Sequence, residues 1–452
     1  MRNEPVGKLN TTPKKAARGG GLLCARGPIL AIVALALVLR LATIAADTGY
    51  LPEQDAWDYD RHARSIADGD GFPDSYYVLD RGPSALRAPG YPYFLGTLYA
   101  VSGNSIAVGR FANAALGALA VFLLYLIASR VWGRRVGLLA AILMAVFPPL
   151  VLLSRELLSE PLFIVLELGM VLSVLEFRRL RELRWAALAG LLFGLAALTR
   201  NPGPALAIPL VLGLWVLRPR LSRRAAMAPA VALLCAVLVI APWTVRNATE
   251  FGRFIPITSG TGFAMAGTYN GASQEDDADP GSWRTPRVAP EYTALFLTPG
   301  IDEGTLDATL RSKAIAFALG HPLYVAQVTG WNLLRLFELS GGSVVDPFTG
   351  PVETRGIGSA DPLSERVALA LAVLLAVAGA VAIVRSRRPA VRRIATGPRF
   401  LWLVPILLIL VAAPINGLPR QRTPVDPFIL ILAAIGLAWL WKSRREDRVS
   451  TA

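Results

Sequence analysis

The chain has 452 residues, 54% of them hydrophobic, with a formal net charge of +14 and a mean hydropathy of +0.48. That is too apolar for a soluble chain of this length, and the apolar residues fall in runs of about 20 that match the ~30 Å hydrocarbon core of a bilayer. Lys and Arg cluster in short connections and form no single stripe, which argues against a nucleic-acid partner, and two cysteines, Cys24 and Cys235, imply no disulfide framework.

Residues 1–27 carry Arg2, Lys8, Lys14, Lys15, Arg18 and Arg26 among glycines and prolines, and read as a disordered basic cytoplasmic tail. The first apolar run, 28–46, is long for a signal peptide and contains Arg40, so a retained helix is expected. Cys24 follows Leu23 rather than a small residue, which argues against a lipoprotein cleavage site. Further runs lie near 107–128, 136–153, 161–176, 186–199, 204–217, 225–243, 365–384, 400–416 and 427–441. Alternate connections are basic: Arg130/Arg134/Arg135, Arg178/Arg179/Arg181/Arg184, Arg218/Arg220/Arg223/Arg224, Arg385/Arg387/Arg388/Arg392/Arg393, and Lys442/Arg444/Arg445 in the tail 441–452. Placing these in the cytoplasm gives one consistent topology of about ten spans in a plasma membrane, with both termini inside. The expected fold class is therefore an all-α polytopic membrane protein, with residues 28–440 as one membrane domain.

The opposite, extracytoplasmic face then holds the connections 47–106, 154–160, 200–203 and about 244–364, and a short turn at 417–426. Residues 56–68, 88–101 and 321–339 mix aromatic with polar side chains and are expected as juxtamembrane amphipathic helices. There is no internal repeat and no tandem broken-helix pattern of the kind that marks many transporters.

Candidate chemistry gathers on that face. Glu53, Asp55, Asp58 and Asp60 stand within eight residues beside the membrane surface. A carboxylate there can serve as general base or divalent-metal ligand, or simply as part of a solvated acidic helix start. Glu160 opens a span, where it can cap the helix N-terminus or act as a second acid facing the site of Asp55. Arg200 lies on the extracytoplasmic side against the charge rule, and an arginine at that depth calls for an anion such as a lipid phosphate. Arg246, Arg420 and Arg422 are similarly placed, with headgroup snorkelling as the alternative.

The remaining motifs point to fewer functions. His62 and His321 lack a metal-ligand spacing. Glu275-Asp276-Asp277 with Asp279 reads as a mobile solvated loop. No Walker motif or G-x-G-x-x-G occurs, so no nucleotide cofactor is expected.

In order along the chain come Asp55-x-x-x-Tyr59, Ala63-Arg64-Ser65-Ile66-Ala67-Asp68-Gly69-Asp70-Gly71-Phe72, Arg87-Ala88-Pro89-Gly90-Tyr91-Pro92-Tyr93-Phe94-Leu95, Gly194-Leu195-Ala196-Ala197-Leu198-Thr199-Arg200 and Ala241-Pro242-Trp243-Thr244-Val245-Arg246-Asn247. Over roughly 28–440 this series resembles the GT-C membrane glycosyltransferases, in particular the protein mannosyltransferase (family 39) and aminoarabinose-transferase-like group. The resemblance implies transfer of a sugar from a polyprenyl-phosphate donor to a protein, lipid or envelope-glycan acceptor on the extracytoplasmic side, within a membrane-lipid environment.

By that resemblance Asp55 is general base or ligand of a divalent cation (Mg2+ or Mn2+), and Arg200, Arg246 and Arg422 hold the donor phosphate. Tyr59, Arg87 and Tyr91 stand in the matching motifs and would line the substrate pocket. Many members follow the Asp with a second acid; Ala56 stands here instead, which leaves Glu160 as the second acid. The rival readings are a transporter or flippase for a lipid-linked substrate and a lipid-linked oligosaccharide ligase. A transporter would place ionisable groups in mid-span.

Overall fold

The computed structural model describes residues 21–74, 82–215, 222–277, 279–340, 343–346, 350–353, 362–385 and 397–450. The expected tail through residue 20, and Arg218, Arg220, Arg387, Arg388, Arg392 and Arg393, lie outside them. The architecture is helical, as expected of an all-α membrane protein, with one short exception. Strands β1 (Ser343–Asp346) and β2 (Gly350–Glu353) pair antiparallel, Val344 opposite Val352.

Helix α1 (Gly21–Ala46) begins inside the stretch expected to be a disordered tail. Leu22, Leu23 and Ala25 are strong helix formers and extend the span backward. Among the described residues, the long α4 (Ile106–Trp132) and α10 (Arg223–Phe251) are, with Gly27–Ala46 and Leu363–Val381, the four helices long and apolar enough to cross a membrane. A fifth span arises if α5 (Arg134–Val146) is joined to α6 (Pro148–Leu152) and the 3-10 turn Leu153–Arg155 across a 61° bend. Shorter apolar helices are α8 (Leu183–Ala197), the turn Gly203–Leu206 with α9 (Ala207–Leu214), α17 (Arg399–Ala412) and the apolar part of α18 (Asp426–Ser450). Between them run α7 (Glu160–Leu180) and α16 (Pro362–Arg385).

These helices pack as neighbours, α1 on α4 and α5, α4 on α7, α7 on α8, α8 on α10, and α16 on α18. Small residues set the close approaches, the usual device where helices associate in lipid. A Cβ on Gly190 of α8 would sit 2.0 Å from the Ala232 carbonyl of α10. Between α16 and α18, Gly379 and Gly436 allow the same approach from both sides.

The bend after α5 has a chemical cause. Pro149 carries no N–H, so the Ala145 carbonyl loses its helical donor. Arg40 of α1, fully buried, points Nη1 at that carbonyl (3.4 Å) and at its own Ala36 carbonyl (2.9 Å). The arginine thus serves the broken helix, and the break delivers residues 153–160 to the loop-bearing end of the bundle.

At that end lie α2 (Gln54–Asp68) and α3 (Gly90–Ser102), packed on each other. The long connection before α16 folds into α11 (Gly260–Thr268), α12 (Gly271–Gln274), α13 (Pro290–Leu297), α14 (Glu303–Gly320) and α15 (Pro322–Leu336). Phe263, Tyr269, Tyr292, Leu306, Leu310 and Tyr324 form a second apolar core there, joined by Leu86 from the first loop.

Candidate active site

Asp55, Asp58, Tyr59 and His62 recur at helical spacing along one face of α2. Asp58 and His62 are fully buried, and Tyr59 nearly so. Opposite them, residues 84–90 run as an irregular strap that brings Arg87 across the helix. Arg87 Nη2 lies 2.5 Å from Asp55 Oδ1, and its Nε lies 2.7 Å from Asp58 Oδ2. The guanidinium also stands 5.1 Å over the Tyr59 ring.

The other oxygen of Asp55 receives Nη2 of Arg420, from the 3-10 turn Pro419–Arg422. Burial presses the Asp55 carboxyl upward, but the guanidiniums of Arg420 and Arg87 outweigh it and hold the group well below the usual carboxylate range. Asp58 is held low in the same way: burial opposes, and Arg87 and His62 prevail. Arg420 is shifted upward, because Asp55 and Glu160 overcome the effect of burial.

Arg200, in the turn after α8, forms a second ion pair with Glu160 at the start of α7. It also donates to Ser159 Oγ (3.2 Å) and to Gln421 Oε1 (2.5 Å), while Tyr59 OH donates to the same Ser159 oxygen (3.2 Å). Glu160 is the acidic residue of the first turn of α7, directly after the N-cap Ser159. Neither of its oxygens accepts a well-aligned hydrogen bond from the described residues, so the Arg200 contact is ionic and off-axis.

Asp55, Tyr59, Arg87, Ser159, Arg200, Arg420 and Gln421, with backbone near Thr199–Pro202, enclose a cleft of about 120 Å³. Three guanidiniums therefore face one small polar space.

Of the residues expected at the site, Asp55, Tyr59, Arg87 and Arg200 line this cleft, and Glu160 stands behind Arg200. Tyr91 does not reach it. It is fully buried behind Tyr59, ring centroids 5.0 Å apart, and its hydroxyl accepts from Asn113 Nδ2 (3.0 Å). Arg246 is also elsewhere: on α10 it stacks over Trp243 (4.8 Å) and donates Nη1 to the Ser84 carbonyl (2.9 Å). Arg422 faces away from the cleft, pairing with Asp426 (2.8 Å) and Glu338 (3.2 Å) and donating to the Leu336 carbonyl (2.5 Å). In a 3-10 turn, residues two apart point in different directions, so Arg420 takes the inward place and Arg422 ties α15 to α18.

Both oxygens of Asp55 are taken by guanidiniums, and among the described residues no three His, Cys, Asp or Glu side chains converge.

Residues 86–245 match the family described as dolichyl-phosphate-mannose-protein mannosyltransferase. No curated protein matches the chain. Among solved structures, the archaeal oligosaccharyltransferase AglB from Archaeoglobus fulgidus, in complex with an inhibitory peptide and a dolichol-phosphate, aligns with a TM-score of 0.55 at 14% identity, over 93% of this chain and 51% of that one. The Archaeoglobus fulgidus oligosaccharyltransferase in complex with Zn and sulfate aligns with a TM-score of 0.52 at 15% identity, over 92% of this chain and 49% of that one. ArnT from Cupriavidus metallidurans bound to undecaprenyl phosphate gives 0.45 at 16% identity, over 92% and 78%. This chain thus has the membrane fold of the archaeal enzymes and spans about half their length, and the expected GT-C-type fold is borne out.

Proposed function

We propose that this protein is a membrane glycosyltransferase that moves a sugar from a polyprenyl-phosphate donor to an acceptor hydroxyl. The reaction would take place at the extracytoplasmic surface of a plasma membrane, with both chain termini on the cytoplasmic side. The observation that carries the reading is the pairing of Asp55 with Arg87 and Arg420 at a cleft that Arg200 also lines. The fold shared with AglB, whose structure holds a dolichol-phosphate, and the mannosyltransferase match over residues 86–245 support a lipid-phosphate donor.

The acceptor O–H gives its proton to Asp55 while its oxygen bonds to the anomeric carbon. The bond from that carbon to the phosphate oxygen breaks, and the phosphate leaves with the electron pair. Arg200 and Arg420 receive the charge that develops on the leaving group, the role of preorganised donors in such transfers. Because the leaving group is tethered in the membrane, no nucleotide-binding domain is needed. No step is routed through a metal, since the cleft's cationic supply is guanidinium.

With no donor bound, Asp55 is a weak base, because two arginines stabilise its ionised form. An incoming phosphate competes for Arg420. As that arginine turns to the phosphate, Asp55 loses a counter-charge and gains basicity when the acceptor must be deprotonated.

Transfer from polyprenyl-phosphate mannose in membranes carrying wild-type or Asp55→Asn protein tests the reading, alongside mass spectrometry of glycans and glycolipids from a strain lacking the protein. Loss of transfer with Asn is expected; full activity would overturn it. The transporter or flippase reading draws on one observation, the fully buried Glu167 of α7, whose oxygens accept no hydrogen bond from the described residues. Arg40, also buried inside an apolar helix, gives Nη1 to the Ala36 carbonyl and the Ala145 carbonyl at the broken helix, while its Nε and Nη2 find no hydrogen-bond partner among the described residues.

A further inference from the structure

We infer that Glu303 and Arg246 are positioning residues that hold the 84–90 strap under tight register, and through it hold Arg87 on Asp55. This rests on the transferase reading above for its catalytic consequence, but not for its geometry.

Glu303 is the first residue of α14 and is 3% exposed. Its Oε2 accepts from Ser84 Oγ (2.6 Å), and its Oε1 accepts from the Ala85 N–H (2.7 Å) and from Ser259 Oγ (2.5 Å). Ser84 Oγ in turn accepts from the Leu86 N–H (2.9 Å). The Ser84 carbonyl takes Arg246 Nη1 (2.9 Å), and the Ala85 carbonyl takes the Ser259 N–H (2.9 Å). The hydroxyl and carbonyl of Ser84 and the amide and carbonyl of Ala85 are therefore tied to the layer built by α10, α11 and α14, while the Ser84 N–H donates to the Pro73 carbonyl (3.0 Å) within the first loop.

The far end of the strap is tied to the other half of the cleft. The Gly90 N–H donates to the Leu198 carbonyl (2.7 Å), one residue before Thr199 and Arg200. A Cβ on Gly90 would fall 2.7 Å from Thr199 Oγ1, so the strap lies directly on that turn. Arg87 projects from between the two anchors onto Asp55 and Asp58.

A carboxylate accepting three short, charge-assisted bonds is a stiff anchor, and truncating it leaves buried donors unmade. The groups facing Glu303 are Ser84, Ser259, the Ala85 amide, Arg246 and Asp307. Burial raises its carboxyl above the ordinary range, and its hydrogen bonds offset only part of that. The groups facing Asp55 are Arg420, Arg87, Tyr59 and, through Arg420, Glu160. Loosening the strap would remove one of the two arginines that hold Asp55 low.

The experiment uses the full chain with Glu303→Gln, and Ser84→Ala as a gentler variant should Gln impair folding. Hydrogen exchange read by mass spectrometry should rise at least tenfold in peptides covering 84–90 while the middle of α14 stays protected. In transfer from polyprenyl-phosphate mannose, both variants should lose activity toward acid with a new limb near the ordinary carboxylate value of about 4. Adding Arg87→Ala to Glu303→Gln should cost little beyond Arg87→Ala alone. Unchanged exchange in the strap overturns the inference. So does a uniformly scaled pH profile with effects that multiply, which is what a purely structural role produces. Raised exchange together with a fully active Asp55→Asn protein would leave the strap standing and remove the catalytic reading instead.

Discussion

Arg420 Nη2 meets Asp55 Oδ2 across 365 residues of chain, closing the cleft between the first loop and the turn before the last helix. Together with Arg87 this gives Asp55 one guanidinium per oxygen. The carboxylate is fixed in direction and electrostatically satisfied until another anion arrives.

Asp55→Asn keeps the shape and one acceptor oxygen but removes the base. Loss of a positioned general base costs about 10²–10⁴-fold in rate. Turnover should fall by that order, with undecaprenyl phosphate still stabilising the protein in a thermal-shift measurement. Retained turnover would remove Asp55 from the reaction.

Arg200→Ala should act mainly on the donor. Arg200 lines the cleft and is held by Glu160, Ser159 and Gln421, so its guanidinium is fixed in place, as the proposed role toward the donor phosphate requires. Donor KM should rise roughly tenfold, the order expected for one hydrogen bond to a charged group. Arg200→Lys should recover only part of it, because an ammonium cannot reproduce the planar fork. Equal donor KM in all three proteins would exclude Arg200 from the phosphate site.

Arg422 calls for the opposite outcome, and the contrast shows what was legible in the sequence. Asp55, Glu160 and Arg200 could be picked out because each breaks a local rule: acids packed beside a membrane, an acid opening a span, an arginine against the charge rule. The choice between Arg420 and Arg422 could not be read, since both sit in a short turn without periodicity and only packing decides which one faces Asp55. Arg246 looked equivalent to Arg200 by topology, yet α10 continues to Phe251, well past its apolar run, and carries Arg246 to the strap instead. Glu167 leaves no sequence signal, because one carboxylate hardly alters the hydropathy of its run. Removing Arg422 strands Asp426 and Glu338, a change that in buried pairs costs about 3–5 kcal/mol. Arg422→Met should therefore lower thermal stability while leaving donor KM per folded molecule unchanged. A selective rise in donor KM would return Arg422 to the phosphate site.

Asp307 gives the outer layer a pH signature. Burial pushes its carboxyl up to about 6, against the Gly262 and Phe263 amides and Arg311, with Glu303 adding to the rise. The folded state thus keeps this proton to higher pH than the unfolded chain, whose carboxyl titrates near 3.9. Between about pH 4 and 6 the folded state binds more protons, so stability falls as pH rises through that window, by on the order of 2–3 kcal/mol. Asp307→Asn keeps an acceptor for the two amides and should flatten that part of the thermal-stability curve in detergent. A wild-type curve already flat from pH 4 to 6 would rule the shift out.

Glu167→Gln separates the two functional classes most directly. The side chain is fully buried within α7, and its oxygens accept no hydrogen bond from the described residues. In lipid such a group is costly and is a candidate for proton or substrate movement. A transporter that used it would lose its activity when the carboxyl becomes an amide, because Gln can neither bind nor release the proton. A transferase working at Asp55 has no use for that proton, since the reacting groups meet at the cleft by α2. Glu167→Gln should therefore leave transfer from polyprenyl-phosphate mannose within about twofold of wild type, in keeping with a near-isosteric change. Abolished function in cells with an intact Asp55 cleft, and no transfer detectable in wild type, would favour the transporter.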